Sequence, residues 1–422
     1  MTSEMVFVSG LIFFMIIVLL SDRFQAEWVI FSTLVVLLLS GVLEPLEAAR
    51  GFVNEGVWTI GLLFVIAGVI ERSGVMKRVV GRLLRGVDEG SVRDLVIRLL
   101  APAAGASSFL NNTPIVVTLV PVVRKWCKRN GVSETKLLIP LSYVTILGGT
   151  VTLIGTSTNL VVDGLLREAE LQGFGFLQLA IVGVPITIVG LVYVALVGWQ
   201  LLPEKRVGRK RCKRRGHRGK VGTSRGKELD GWIALGLLGV AVVLVAFGLV
   251  PMLVAIASVV VLLLVAHVLK VGEVIRTIPW QILILVSSAI GVGLALSKSG
   301  LADLVAVHVL AVAAPLGTFA VIVALYLLTN LFTELMTNVA AAVLMLPIGL
   351  EMAQVIGVDP IGFAVVIAIA ASASFVTPIG YQTNLVVYQA CGYRFTDFVQ
   401  VGLPLSVVVM LVTSGVVYWV VV

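Results

Sequence analysis

Charged side chains are scarce in this chain: they make up 13% of its 422 residues, whereas 59% of the residues are hydrophobic. A soluble domain of this size needs more polar surface than that. The only long polar stretch, about residues 203 to 230, is too short to fold as a separate domain. The composition therefore predicts an all-α polytopic membrane protein whose main partner is the lipid bilayer.

Cysteine and histidine are also rare, with three residues of each. Neither type shows the spacing of a disulfide framework or a metal site, so thiol and metal chemistry lack support. No Ser/His, HExxH or paired-Asp constellation occurs in the apolar segments, which argues against an intramembrane enzyme. We expect no enzymatic activity and no organic cofactor.

Apolar runs of about 17 to 25 residues are long enough to cross a bilayer. The first run lacks the basic flank of a signal peptide, so we expect it to be retained as a span. Two other apolar regions, about 95 to 125 and 317 to 350, are interrupted by Asn and Thr, and we expect each half to be too short to cross alone. They are predicted to be re-entrant hairpins. The predicted spans, about ten in number, are 5–20, 27–43, 56–71, 137–166, 176–202, 231–248, 251–269, 280–297, 360–390 and 398–421.

Lys and Arg are concentrated in three loops: 72–98, 124–136 and 205–227. Because basic loops stay on the cytoplasmic side, the pattern predicts a multi-pass plasma-membrane protein with these loops in the cytoplasm and both termini outside. The first hairpin then enters from the cytoplasm and the second from outside. Attraction to anionic lipid explains the long basic loop, so no nucleic-acid partner is expected.

The segment Ile154 to Val162 (IGTSTNLVV) is nearly repeated about 225 positions later as Ile379 to Val387 (IGYQTNLVV). At a similar shift, Asn112 matches Asn338. Each half has five spans and one hairpin, and because five is odd the second half starts on the opposite side of the membrane. This predicts an inverted-topology repeat, which lets a central site face either side by rocking. The predicted divisions are a first repeat over 1–202, a basic loop over 203–230 and a second repeat over 231–422.

Both hairpin tips are polar. Thr113 followed by Pro114 is typical of an N-cap and a first helical position, so the second arm of the first hairpin should begin there. A helix N-terminus attracts anions. The second tip keeps Asn338 but lacks the proline.

Polar islands also interrupt two uncharged segments, about 137–162 and 360–393. The carbonyls and hydroxyls of an unwound helix suit a hard cation such as Na⁺. For Thr156, Ser157 and Thr158, bonding back to the preceding turn is an equal alternative. Four half-helix ends are expected to converge near the membrane midplane.

Glu334 is the only formally charged residue between about 304 and 350. An acid inside a membrane is a functional candidate by default. It either takes up a proton, tunes a cation site or forms a structural pair with a facing donor, and the sequence leaves these alternatives open.

Four strings occur in order: SSFLNNTPIVVTLVP, LIGTSTNLVV, TELMTNVAAAVLMLP and TPIGYQTNLVVYQACGYRFTDFVQVGLP. Together they resemble the divalent anion:sodium symporter family of the ion transporter superfamily, over most of the chain after about residue 50. The resemblance implies a homodimeric secondary active transporter. It would couple Na⁺ to symport of a small di- or oligovalent anion, with the hairpins moving like an elevator against a scaffold.

Carried over residue by residue, the resemblance also implies one anion site and two Na⁺ sites. The anion would contact Asn112, Thr113, Asn338, Thr377 and Pro378. The first Na⁺ would be held by Ser107, Asn111, Asn112 and the backbone near Gly155. The second would be held by Thr333, Thr337, Asn338 and the carbonyl of Val376.

Three departures from the family pattern affect the substrate. Val339 stands in place of a Thr, Asn111 stands in place of a Ser, and the central loop contains no soluble domain. Losing a hydroxyl on one side weakens a symmetric site for two carboxylates, so sulfate or another small oxyanion is a candidate beside dicarboxylates and citrate. An arsenite-type efflux permease, a proton-coupled anion transporter and a channel remain alternatives.

Overall fold

The computed structural model describes residues 3–21, 23–75, 78, 96–202, 204 and 225–421. The basic loops predicted at 72–98 and 205–227 lie largely outside these residues. In the described part every regular element is a helix, so the predicted all-α class is confirmed. Seven of its helices are long and apolar enough to cross a membrane, and shorter apolar helices accompany them.

The helices fall into two series that follow the two halves of the sequence. The first series is α1 Ser3–Leu20, α2 Ala26–Leu39, α3 Pro45–Val53, α4 Glu55–Ser73, α5 Ala101–Ser107, α6 Asn112–Asn130, α7 Leu138–Gly149, α8 Ser157–Glu168 and α9 Ala180–Tyr193. The second is α10 Arg225–Ala246, α11 Met252–Val265, α12 Val271–Thr277, α13 Trp280–Lys298, α14 Leu301–Ala313, α15 Thr318–Leu335, α16 Asn338–Ile356, α17 Pro360–Ser372, α18 Gln382–Cys391 and α19 Phe395–Val421.

Helix ends match between the two series at the shift that relates Asn112 to Asn338. Helix α6 begins at Asn112 and helix α16 at Asn338, and their C-caps, Gly131 and Gly357, have φ angles of 66° and 73°. A left-handed residue is the usual way to stop a helix, and glycine adopts it without strain. The two halves are therefore related in structure as well as sequence. The inversion of one half relative to the other stays a prediction.

Two ion pairs cross between the halves at equivalent positions. Glu47 on α3 lies 2.9 Å from Lys298 at the end of α13, and Glu273 on α12 lies 3.4 Å from Arg72 at the end of α4. Both Glu side chains also accept the backbone N–H three residues earlier, closing the first turn of their short helices. The two halves are thus joined by two equivalent ion pairs, in each of which one half supplies the Glu and the other the basic residue.

The broken helices occupy the centre of the protein. Every residue of α7 is buried, and α17 is buried from Phe363 to Ser372. Such all-round apolar helices are stable only inside a larger body. The unwound segments predicted near residues 155 and 380 are confirmed: residues 150–156 separate α7 from α8, and 373–381 separate α17 from α18.

The second half differs from its prediction in two respects, while the re-entrant path of its hairpin stays a prediction. The arms of its hairpin, α15 and α16, have 18 and 19 residues, and each is long and apolar enough to cross a membrane. Helix α16 continues through Glu351 to Ile356 because nothing stops it before the left-handed Gly357. Helix α14, Leu301–Ala313, was missing from the predicted spans.

Candidate functional site

The first hairpin tip differs in one detail from its prediction. Helix α6 begins at Asn112 and its N-cap is Asn111, so Thr113 is the second helical residue and the predicted N-cap is wrong. Proline lacks an N–H and is tolerated throughout the first turn, so Pro114 did not fix the cap. The Thr113 hydroxyl donates instead to Oε1 of Gln382 at 3.3 Å. At the second tip Thr337 accepts from the N–H of Ala340 and does cap its helix.

Asn112 is enclosed by protein. Its Oδ1 accepts a 2.5 Å hydrogen bond from the Ser107 hydroxyl, and its Nδ2 donates to the Tyr381 hydroxyl at 2.6 Å. A Cβ atom on Gly149 would lie 2.6 Å from Asn112 Oδ1, so this glycine makes room for the amide. The side chain is 0% exposed.

The second tip repeats the first contact. The Thr333 hydroxyl donates to Oδ1 of Asn338 at 2.9 Å, with the same spacing of five residues along the chain. It also lies 2.5 Å from the carbonyl oxygen of Ala371. Asn338 itself is only half-buried. Both tips therefore fix an Asn carbonyl with a hydroxyl from the preceding helix, but they differ in how far that Asn is enclosed.

Glu334 is bound to the backbone of the second unwound segment. Its Oε1 accepts from the N–H of Val376 at 2.8 Å and its Oε2 accepts from the N–H of Thr377 at 2.9 Å. The Thr377 hydroxyl donates to the Glu334 carbonyl at 3.4 Å. The donors that face Glu334 are therefore main-chain N–H groups. Without Glu334 these groups would be unpaired at membrane depth.

Each unwound segment is closed by an Asn that occurs in both repeated strings. Neither Asn was among the predicted site residues. Asn159 Nδ2 donates to the carbonyls of Gly149 and Thr152 at 3.3 and 2.9 Å. Asn384 Nδ2 donates to the carbonyls of Ser374 and Thr377 at 2.9 and 3.2 Å. Both side chains are fully buried. The sequence signal that could have identified them is that the same Asn occurs in both copies of the repeated string.

The segment 373–381 joins both hairpin tips. Near its middle it binds Glu334 of the second tip, and at its end Tyr381 reaches Asn112 of the first. The Tyr381 hydroxyl also lies 3.2 Å from the hydroxyl of Thr156 in the other unwound segment. All four predicted half-helix regions are therefore joined by direct hydrogen bonds through this one segment.

The predicted cation ligands are distributed as follows. Ser107 and Asn112 are adjacent, as are Thr333 and Asn338. Gly155 packs against the carbonyl of Gly149, and Asn111 is half-buried beside a cavity of about 30 Å³ that Ser157 also lines. Thr337 is exposed, and the N–H of Val376 is bound to Glu334. Amide, hydroxyl and carbonyl oxygens suit a hard cation, and no cluster of three His, Cys, Asp or Glu occurs in the described part of the chain.

A larger cavity, of about 470 Å³, lies between α8, α13 and α16. Glu168 and Glu351 line it, and its other lining residues are neutral. Arg50 pairs with Glu168 at 3.2 Å. None of the residues predicted to contact the anion or Na⁺ lines this cavity, so the hairpin tips remain the candidate site.

An all-helical membrane body with two broken helices beside two polar hairpin tips defines a membrane transporter. Residues 12–370 and 335–422 match the family model of the citrate transporters, CitMHS. The chain belongs to this citrate transporter family. The predicted resemblance to sodium-coupled divalent anion symporters is confirmed at family level, as is the prediction that the protein is a transporter and not an enzyme.

Curated relatives span several substrates. An uncharacterised transporter of Synechocystis sp. is 25% identical over 94% of this chain and 95% of its own. The sodium-dependent dicarboxylate transporter SdcS of Staphylococcus saprophyticus is 23% identical over 92% of this chain and 80% of its own. The probable sodium/sulfate cotransporter 3 of Chlamydomonas reinhardtii is 40% identical, but over 38% of this chain and 19% of its own.

Two solved structures share the fold. The Alcanivorax borkumensis YdaH transporter superposes with a TM-score of 0.61 at 16% identity, covering 99% of this chain and 98% of that one. Neisseria gonorrhoeae MtrF, described as an antimetabolite efflux pump, also gives 0.61, at 13% identity over 91% of this chain and 83% of its own. At these identities the likeness shows the fold alone.

Proposed function

We propose that this membrane transporter carries a small di- or oligovalent anion by symport with Na⁺, and that sulfate is the leading candidate substrate. One observation carries the proposal. The hairpin tips and unwound segments, residues 107–113, 150–159, 333–338 and 373–384, contain no Lys, Arg or His, yet they contain the carboxylate of Glu334. Cations must therefore be supplied with the substrate.

The electrostatics support co-transport. Two like unit charges 4 Å apart repel by about 4 kcal/mol at the effective dielectric constant of a protein near its surface. An anion that binds at about this distance from Glu334 needs compensation of that order. Na⁺ ions at the pairs Ser107–Asn112 and Thr333–Asn338 would supply it, and anion affinity would then rise with Na⁺ concentration.

The relatives support this class without fixing the substrate. A sodium/sulfate cotransporter is the more similar over a limited stretch, and a sodium-dependent dicarboxylate transporter matches along almost the whole chain. Sulfate is favoured because Val339 removes a hydroxyl from one side of the tips. Citrate remains a candidate through the family.

The proposal includes an elevator-like movement of the hairpins in a homodimer, in a plasma membrane with the basic loops in the cytoplasm. Helices α4, α10 and α11 form an apolar cluster of their own, built on residues such as Ile66, Leu238 and Val259. A body that packs separately from the main core is a suitable scaffold. The hairpins and broken helices would move against it.

Uptake by purified protein in liposomes tests the proposal. Sulfate, succinate and citrate are each offered with an inward Na⁺ gradient and with Na⁺ replaced by choline. We expect Na⁺-dependent uptake of sulfate, at carrier rates. Uptake that is no faster with the Na⁺ gradient would refute the coupling, and electrical currents far above carrier turnover would indicate a channel. Export without Na⁺ dependence would favour an efflux permease.

A proton-coupled transporter is a second candidate because Glu334 is a half-buried acid at the site. Both of its oxygens accept main-chain N–H bonds, which suits a carboxylate that holds the segment 373–381 in place. This arrangement favours the Na⁺-coupled function. Replacing Glu334 separates the two, as described below.

A further inference from the structure

Thr156 and Tyr381 occupy the same position of the two repeated strings, yet they differ greatly in size. Tyr381 is 8% exposed, and its ring extends from the second unwound segment to the first hairpin tip. The residue that follows it acts in the same direction: Gln382 accepts from Thr113, next to Asn112. Two consecutive residues of the second repeat, Tyr381 and Gln382, therefore contact two consecutive residues of the first tip, Asn112 and Thr113.

The consequence is that both polar atoms of the buried Asn112 side chain already have a protein partner. Ser107 occupies its oxygen, Tyr381 occupies its nitrogen, and Gly149 lies against the amide. At the second tip Asn338 keeps the contact with the hydroxyl of Thr333 but remains half-buried. The side chain in the place of Tyr381 on that side would be Thr156, which is too small to cover a neighbouring amide in the same way.

We propose that Tyr381 is a specificity-determining residue that closes the first hairpin tip to the substrate, so that the transporter accepts a small single-headed oxyanion and rejects dicarboxylates. This inference rests on the proposed function and deepens it. Only the tip that carries Asn338 is then open to an anionic group. The Tyr381 hydroxyl forms the wall on the other side.

Charge alone cannot separate the two substrate classes. Sulfate and succinate are both dianions near neutral pH, but sulfate carries its charge on one tetrahedral group, whereas succinate carries it on two groups joined by a carbon chain. A second carboxylate without donors in a poorly hydrated site is strongly disfavoured. A site with one open tip therefore prefers sulfate, and a site with two open tips can hold both ends of succinate.

Thermal stabilisation of the purified full-length protein tests the inference, because a ligand that binds the folded state raises its melting temperature. Sulfate and succinate are titrated with NaCl or with choline chloride. The variants are Tyr381→Thr, which copies the first repeat, and Tyr381→Phe, which keeps the ring and removes the hydroxyl. Tyr418→Thr and Tyr418→Phe are matched controls, since Tyr418 lies on the outer face, 39% exposed, against the ring of Phe319.

We expect sulfate, and not succinate, to stabilise the wild type in NaCl. In Tyr381→Thr the preference should shift toward succinate by roughly tenfold or more, the scale on which a change of pocket shape discriminates ligands. Tyr381→Phe should still reject succinate, because the ring remains. The Tyr418 variants should behave as wild type.

The failures are distinguishable. If the wild type binds sulfate with Na⁺ and Tyr381→Thr keeps the same preference, the role of Tyr381 is overturned while the proposed function stands. If the wild type is stabilised by succinate as well as by sulfate, the role of Tyr381 is likewise overturned. If neither anion stabilises the wild type under any condition, both proposals fall. A poorly folded Tyr381→Thr protein leaves Tyr381→Phe to decide, since gain of succinate binding there contradicts exclusion by the ring.

Discussion

The hydroxyl oxygens of Thr156 and Tyr381 lie 3.2 Å apart, although the two residues are separated by 225 positions and occupy the same place in the two repeats. Equivalent residues of the two repeats are thus in direct contact. The largest difference between the repeated strings is therefore found where the halves meet. A change there alters both unwound segments and the first hairpin tip together.

Gly149 gives a sharp test of the first tip. In Gly149→Ala the new Cβ would come within 2.6 Å of Asn112 Oδ1, so Asn112 must move and its bonds to Ser107 and Tyr381 must weaken. Buried polar groups that lose partners cost about 1–3 kcal/mol each. We expect a lower melting temperature and a loss of Na⁺-dependent anion binding of tenfold or more, since about 1.4 kcal/mol is tenfold.

Gly105→Ala is the matched control, because a Cβ there meets nothing within 4 Å and the residue lies inside α5. Alanine should stabilise that helix by about 0.5–1 kcal/mol. Equal effects of the two substitutions on anion binding would show that the space beside Asn112 is not important.

Asn159 and Asn384 are predicted to hold the unwound segments closed. In Asn159→Asp and Asn384→Asp an oxygen replaces the nitrogen that donates to two carbonyls, so acceptors face acceptors in a buried site. The expected loss is about 1–3 kcal/mol for each carbonyl left unpaired. Thermal unfolding of the purified protein measures it. Gln172→Glu, an exposed amide-to-acid change, should leave the melting temperature unchanged, and a comparably small effect at Asn384 would contradict the prediction.

Glu334→Gln separates two modes of coupling. The amide can accept from only one of the N–H groups of Val376 and Thr377, and its NH₂ opposes the other, so stability should fall by about 1–3 kcal/mol. Na⁺-driven uptake into liposomes should nevertheless largely persist. Uptake that depends on a pH gradient in the wild type and is abolished in Glu334→Gln would instead establish proton coupling.

Cys212 reports the side of the basic loop, which lies outside the described residues. With Cys127 and Cys391 replaced by Ala, a membrane-impermeant maleimide should label inverted vesicles and not intact cells, because loops rich in Lys and Arg remain in the cytoplasm. The protein that lacks all three cysteines is the control for background. Labelling from the outside would reverse the predicted topology and with it the predicted entry sides of the hairpins.

Much of the fold was predictable because its signals are local. Composition predicted the membrane class, and the repeated string predicted the breaks at 150–156 and 373–381. The extent of α16 and the existence of α14 were not predicted, since polar residues such as Glu351 do not end a helix when a stop such as Gly357 comes later. The Thr113–Pro114 pattern also predicted the first N-cap at Thr113, whereas the N-cap is Asn111.

The site was only partly predictable. The pairs Ser107–Asn112 and Thr333–Asn338 are five residues apart, so a hairpin tip brings them together by its own geometry. The contact from Tyr381 to Asn112 spans 269 positions, and nothing in either motif indicates it. The main-chain partners of Glu334 were equally hidden, because a sequence pattern does not show which N–H groups are left over by an unwound helix.

The sequence by itself determined a two-part, all-helical membrane transporter with paired polar tips, since hydropathy, charge and internal repetition act over short distances or directly along the chain. Only the tertiary structure decided how the halves are joined: Tyr381 covers Asn112, and Glu334 secures the segment next to it. Those contacts depend on the packing of helices from opposite ends of the chain. They make two nearly identical motifs chemically unequal.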